Sequence, residues 1–255
     1  MHLSPVHQFL LLALAGFAGG AMNSLAGGGS FVTLPALIAA GVPSVQANAS
    51  STVAMYPGGL AGAWAWREGL EPVCGVPLRL LGVVTAAGGL LGALLLLWTP
   101  SSAFDLMIPW LLLFATLLLA FGDDVGALLR RHIVIRPVPM LLAQFLLGIY
   151  GGYFGGAVGI MMVAIWSLLG TTDLRRLHPA RTLMVSAANT AAVALFIVAR
   201  AVAWQGVLVM LAGGIGGGYA GGHVGRRLDA SWVRVGTLVI TAVITAIFFY
   251  RAYVA

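Results

Sequence analysis

Ten apolar runs follow one another along the chain, at roughly 6–26, 30–40, 45–66, 74–98, 103–121, 137–156, 157–169, 178–199, 204–223 and 232–250. A run near 20 residues with no charge at its centre can cross a bilayer as a helix, which pairs every backbone group within the segment. Of the 255 residues, 60% are hydrophobic and only 8% are charged, against about 25% charged in a soluble domain. A transmembrane β-barrel would alternate over segments of about ten residues, and no such pattern occurs. The expected fold is an all-α polytopic membrane protein.

All thirteen basic residues are arginine. Without lysine there is no Walker A phosphate loop and no Schiff-base chemistry. The net charge of +6 does not point to nucleic acid, because most arginines flank apolar runs as the positive-inside rule requires. A lone cysteine, Cys74, excludes an internal disulfide, and five scattered histidines lack metal-ligand spacing. No cofactor and no metal is expected. The apolar runs hold no paired carboxylates, HExxH or Ser–Lys pair, so an intramembrane enzyme is not expected. The first seventeen residues hold no Lys or Arg, and 6–26 reads as a retained helix rather than a signal peptide.

The sequence repeats itself. Gly16, Gly19 and Gly20 in "GFAGG" match Gly148, Gly151 and Gly152 in "GIYGG". Glycine-rich breaks follow, "AGGGS" at 26–30 and "FGGAVG" at 154–159, each leading into a short apolar run. A helix dotted with polar residues comes next in each half, and "AAGGLLG" at 86–92 pairs with "AGGIGGG" at 212–218. The halves are 1–121 and 137–255, joined by a polar linker at 122–136 that holds Arg130, Arg131 and Arg136. If the linker is cytoplasmic and every segment crosses, the loops with Arg67, Arg175, Arg176, Arg226, Arg227 and Arg234 are cytoplasmic as well. Five segments per half then give two inverted-topology repeats with both termini outside.

The second and seventh runs hold too few apolar residues to span, so irregular backbone must complete them. Such backbone survives at membrane depth only where protein or a watery cavity satisfies it. Broken helices of this kind build the substrate site of inverted-repeat transporters. Here each short helix opens on a glycine break, and a helix N-terminus with free N–H groups favours an anion. Every carboxylate (Glu68, Glu71, Asp105, Asp123, Asp124, Asp173, Asp229) falls in a loop or near a segment end. The groups inside the runs are neutral donors or basic. The candidate substrate-binding residues are Asn23, Gly27, Gly28, Gly29, Ser30, Asn48, Ser50, Ser51, Gly155, Gly156, Gly159, Arg181, Thr182 and Asn189, with His178 near one end.

Plainer roles compete. Glycines four apart, as at Gly58/Gly62, Gly88/Gly92 and Gly214/Gly218/Gly222, allow close helix packing. The hydroxyls of Ser50, Ser51 and Thr52 can bond their own helix, and Arg181 can snorkel to the surface.

Residues 16–64, "GFAGGAMNSLAGGGSFVTLPALIAAGVPSVQANASSTVAMYPGGLAGAW", resemble the first repeat signature of the TauE/SafE sulfite exporter family, and "GIYGGYFGGAVGIMMVAIWSLLG" resembles the second. The resemblance implies secondary transport of small anions such as sulfite, sulfonates, thiosulfate or organic acids. It places Asn48, Ser50 and Ser51 where the family has Asn, Thr and Ser, while Pro179 and Arg181 depart from its usual second element. The expectation is a transporter in the bacterial inner membrane that exports a sulfur oxyanion or organosulfonate by alternating access, with the two breaks and the polar faces of the third and eighth segments enclosing it. The rival expectations are import of thiosulfate or a small carboxylate, and a non-transporting scaffold. A homo-oligomer is compatible with the sequence.

Overall fold

The computed structural model describes residues 4–26, 28–65, 67–73, 75–130, 137–156, 158–167, 177–225 and 230–254. Among them the chain is helical: α1 (Pro5–Ala26), α2 (Ser30–Ala39), α3 (Ser44–Ala65), α4 (Leu78–Trp98), α5 (Ser101–Arg130), α6 (Pro137–Tyr153), α7 (Val158–Ser167), α8 (His178–Val198), α9 (Trp204–Gly225) and α10 (Ala230–Tyr253). Five of these are long and apolar enough to cross a bilayer on their own. The two short helices, α2 and α7, rise only about 15 Å each, half of the roughly 30 Å hydrocarbon core. The helices start and stop within a few residues of the apolar runs. The exception is α5, which continues through the polar stretch to Arg130. Polarity ends an apolar run, but Ala, Leu and Arg remain good helix formers. The rest of the proposed linker, 131–136, lies outside the described residues.

The chain forms two compact units, and each draws on both sequence halves. One unit comprises Met1–Gly58, Leu97–Thr116 and Phe196–Ala255, the other Gly59–Leu96 and Leu117–Leu195. The repeat boundaries concern duplication in the sequence, whereas these units concern packing.

The first unit is built on α1 against α9. A Cβ added at Gly16 would overlap the carbonyl oxygen of Met210, and one at Gly20 would overlap that of Gly214. In return Gly213 abuts the Ala13 carbonyl and Gly217 that of Phe17. In the second unit α4 meets α6 the same way. Gly88 abuts the Phe145 carbonyl, Gly92 that of Ile149, and Gly152 that of Gly89. Lipid tails are as apolar as leucine, so close backbone contact replaces the hydrophobic effect as the force that joins these helices. The contacts also set the repeat register. Gly88, Gly89 and Gly92 correspond to Gly213, Gly214 and Gly217, one residue from the pairing of 86–92 with 212–218. A glycine-rich run matches itself in more than one register, and only the contacts choose.

They correct the packing assignments as well. Gly88 and Gly92 are packing glycines, but a Cβ at Gly58 would meet nothing within 4 Å, and one at Gly62 would reach only Thr182 Cγ2, at 3.5 Å. Gly218 makes an ordinary contact, 3.8 Å to the Gly20 carbonyl. The seam of α9 therefore runs along Gly213, Gly217 and Gly221, one residue away from the expected stripe. Gly214 of that stripe is also packed, under Gly20 and with its Cβ direction 3.1 Å from Met55 Cε.

Both units have apolar interiors. In the second, Leu81, Met140, Leu147, Met162, Trp166 and Met184 form a buried cluster. In the first, Phe31, Leu34 and Leu37 of α2 are buried.

Helix ends follow known chemistry. Beyond α2, Val42 N–H donates to Leu37 O and Gly41 N–H to Ile38 O, with Gly41 at φ +89°. This double hydrogen bond needs a left-handed residue, which glycine supplies without strain. Beyond α8 the same pair recurs, Ala201 N–H to Phe196 O and Arg200 N–H to Ile197 O, but the left-handed residue is Arg200 at φ 55°. Replacing Arg200 with glycine is expected to stabilise the protein by about 0.5 kcal/mol, and Gly41→Ala to destabilise it by about 1 kcal/mol. Thermal melts in detergent should show opposite shifts.

Candidate functional site

In the first unit the break between α1 and α2 is a tight corner. A Cβ at Gly29 would lie 2.5 Å from the Gly19 carbonyl oxygen and 3.0 Å from Asn23 Cβ. Gly29 therefore has to be glycine, and Asn23 stands beside it. Gly28 is less constrained, with only the ends of the Met22 and Phe31 side chains near its Cβ direction, each at 3.1 Å. Gly27 lies outside the described residues.

The donors at this corner are fewer than the sequence promised. Phe31 N–H donates to Gly28 O, and the N–H groups of Val32 and Thr33 both reach Gly29 O. The N–H groups of Gly29 and Ser30 meet no backbone acceptor among the described residues. Asn23 and Ser30 are partly exposed. Helix α2 also lacks a side-chain cap, so its positive end is left to whatever binds there.

The hydroxyls of α3 are largely committed. Thr33 Oγ1–H donates to Gly29 O at 3.2 Å, and Thr33 Oγ1 lies 2.6 Å from Ser51 Oγ. A hydroxyl has one proton, so with Thr33 donating to Gly29 it is Ser51 that donates to Thr33. Ser50 Oγ accepts from Ala203 N–H at 2.8 Å and ties α3 to the start of α9. Thr52 donates to Asn48 O, one turn back. Asn48 is buried on the same helix. Ser50 and Ser51 thus fasten the frame of the break, and Asn23 and Ser30 form its open side.

In the second unit the break lies between α6 and α7. Gly155, at φ +79°, turns the chain out of α6, a conformation that favours glycine. A Cβ at Gly156 would lie 2.9 Å from the Phe154 ring. Gly159, in the first turn of α7, has Arg181 above it, and its Cβ direction meets Arg181 Cδ at 3.3 Å and Val185 Cγ2 at 3.4 Å. A side chain at this position would push Arg181 aside.

Arg181 sits in the first turn of α8, where the helix dipole is positive and an acidic residue would be favoured instead. That turn contains no acidic residue, and no ion pair engages Arg181 among the described residues. The aliphatic stem packs on α7 and does not run straight out to the surface. On the same helix Thr182 Cγ2 faces Gly62, and Ser186 Oγ–H donates to the Gly59 carbonyl at 3.1 Å. The Oδ1 of Asn189 is buried without a hydrogen-bond partner among the described residues. Arg181, Val185 and Asn189 recur at helical spacing on one face, with about 12 Å of axial rise between the first and the last.

Sequence reasoning missed a buried network in this unit. Trp166 Nε1–H donates to Gln144 Oε1 at 2.9 Å, Gln144 Nε2–H to Thr85 Oγ1 at 2.8 Å, and Thr85 Oγ1–H to Leu81 O at 2.6 Å. It pins the short α7 to α6 and α4. The signal was present, because Gln144 is the sole amide in the run 137–156 and such a residue must find a partner. A cavity of about 280 Å3 opens between α1 and α10, beside Ala18, Met22, Trp232 and Gly236. Its walls are apolar and it includes none of the candidate residues.

A profile of the sulfite exporter TauE/SafE family matches residues 12–248. The chain belongs to the TauE/SafE family. A probable membrane transporter protein of Haemophilus influenzae is 30% identical over 207 residues, 80% of this chain and 80% of that protein. A probable membrane transporter protein, ORF9, from Sinorhizobium sp is 29% identical over 211 residues, covering 81% and 79%. The probable membrane transporter protein YfcA of Escherichia coli K12 is 27% identical over 206 residues, covering 80% and 74%. No solved structure matches this TauE/SafE chain.

Proposed function

We propose that this TauE/SafE membrane transporter carries a small sulfur oxyanion or organosulfonate across the bacterial inner membrane by alternating access, in the export direction. The observation that carries the reading is Arg181, a guanidinium in a membrane helix with no ion-pair partner among the described residues. Arg181 lies in the first turn of α8, but its stem folds over α7, and a cation held among apolar helices without a partner is costly. Such a residue is retained where an anion completes it. Its planar fork suits two oxygens of one oxyanion, and charge-assisted bonds of this kind are about twice as strong as neutral ones.

Gly159 leaves the room in which Arg181 lies, and the positive ends of α7 and α8 add to its field. In the first unit Asn23 and Ser30, with the N–H of Gly29, offer neutral donors for the same kind of ligand. Asn189 is a separate polar point further along α8. Gly28, Gly156 and Thr182 shape the backbone around these groups, and Asn48, Ser50 and Ser51 hold α3 in place beside them. With no carboxylate at the centre of any apolar run, the driving force is the membrane potential, about 2.3 kcal/mol per charge per 100 mV.

The test is flux of radiolabelled sulfite, thiosulfate and acetate in proteoliposomes with an imposed potential of either sign. Anion movement should follow the potential, reverse with it and be blocked by excess unlabelled sulfite. Flux indifferent to the potential would rule out electrogenic transport. Acetate movement without sulfite movement would replace the substrate class. No flux of any probe from folded protein would sink the transport reading itself.

A further inference from the structure

We propose that α3 bends at Pro57–Gly58–Gly59 and that this bend is the movable joint of the transport cycle. The inference rests on the transport reading for its purpose, but not for its evidence.

Helix α3 runs unbroken from Ser44 to Ala65 with Pro57 inside it. Proline has no N–H, so the carbonyl of Val53 loses its helical donor and is crowded by the ring. Two glycines follow, the residues that hold a helix least firmly apart from proline itself.

Glycines in the α1·α9 and α4·α6 seams are explained by backbone that would collide with any side chain. Those of α3 are not. A Cβ at Gly58 meets nothing within 4 Å, and at Gly59 it reaches only Ser186 Oγ at 3.8 Å. Alanine would fit at either place and would favour the helix. Packing gives no reason for glycine here, and backbone freedom does.

A second observation falls at the same residues. The two compact units divide the chain between Gly58 and Gly59. Helices α4, α5 and α8 also pass from one unit to the other, at Leu96, Thr116 and Leu195. None of the three has a glycine or proline at that point, since Pro109 of α5 lies almost two turns earlier. Only α3 crosses on a Pro-Gly-Gly sequence. Within the second unit, the Ser186 hydroxyl donates to the Gly59 carbonyl at 3.1 Å. This bond ties the step just after Pro57 to α8 and so secures one setting of the bend.

The experiment is a spin-label distance measurement across α3 in liposomes, in a Cys74→Ser background, with labels at Gln46 and Trp64. These positions are about 27 Å apart in a straight helix. The distance distribution should be broad or two-peaked with glycine at 58 and narrow in Gly58→Ala. Radiolabelled sulfite efflux should fall roughly tenfold in Gly58→Ala, as for a hinge that sets turnover, while the melting temperature is unchanged or higher. Gly236→Ala is the control, because that glycine also has no neighbour within 4 Å but no proline beside it; its efflux should be unchanged.

Identical distance distributions in both backgrounds would overturn the bend. A large fall in melting temperature in Gly58→Ala would overturn it too, because the glycine would then be a packing residue. If the parent protein moves no sulfite, thiosulfate or acetate, the transport reading fails, and the label distances still decide whether α3 bends.

Discussion

Arg181→Gln is expected to lower oxyanion flux by roughly a hundredfold and to raise thermal stability at the same time. Two charge-assisted hydrogen bonds lost together are worth about 3 kcal/mol in a low-dielectric site, and each 1.4 kcal/mol is about a factor of ten. The same change removes a cation that has no ion-pair partner among the described residues, so the unliganded protein loses a cost rather than a bond. Opposite signs for activity and stability separate a ligand-binding arginine from a structural one, whose loss would lower both. Arg181→Lys keeps the charge but not the planar fork and should fall between wild type and Gln. Flux in proteoliposomes and a thermal melt in detergent decide the matter. Wild-type flux in Arg181→Gln would move the anion to the first unit, where Asn23 and Ser30 are partly exposed. Because arginine stays charged throughout the physiological range, any pH dependence of flux should follow ionisation of the substrate.

How much of this was legible beforehand depends on what the sequence encodes locally. Helix positions were legible because the bilayer imposes a length and an apolarity on each span. The end of α5 was not, since membrane thickness says nothing about where a helix stops once in water. The glycine breaks could be located, but the roles of individual glycines could not. Gly29 is fixed by the Gly19 carbonyl, Gly155 by its positive φ, and Gly159 by the stem of Arg181. Three unrelated causes give the same letter in the sequence. The hydroxyls of Ser50 and Ser51 read equally as substrate donors or as internal ties. Their protein partners, Ala203 N–H and Thr33 Oγ1, are distant in sequence and could not be counted from it. Gln144 stands alone in its run, and its partners Thr85 and Trp166 are distant in sequence and carry no motif. Arg181 stood out because a charge inside an apolar run is conspicuous wherever it lies.

The glycine seams give the largest stability effect expected. Gly92→Ala should cost about 3 kcal/mol or more and leave little folded protein, because its Cβ would occupy the space of the Ile149 carbonyl. Gly217→Ala should do the same on α9, where the obstacle is the Phe17 carbonyl. These losses have a signature that ordinary overpacking lacks. A Cβ at Gly206 would lie 2.9 Å from Leu37 Cδ2, and trimming Leu37 to Val should relieve much of that damage. No substitution trims a carbonyl, so a single change at Ile149 or Phe17 should rescue neither seam variant. Membrane yield and detergent melts of the single and double variants would read this out. Recovery of Gly92→Ala by a smaller residue at Ile149 would mean that the helices touch through side chains. The near-identical seams of the two units would then need another cause. Without such recovery, backbone contact is what joins α1 to α9 and α4 to α6. The helices that carry the breaks are then held on rigid pairs, and motion is left to residues outside the seams, with Gly58 among them.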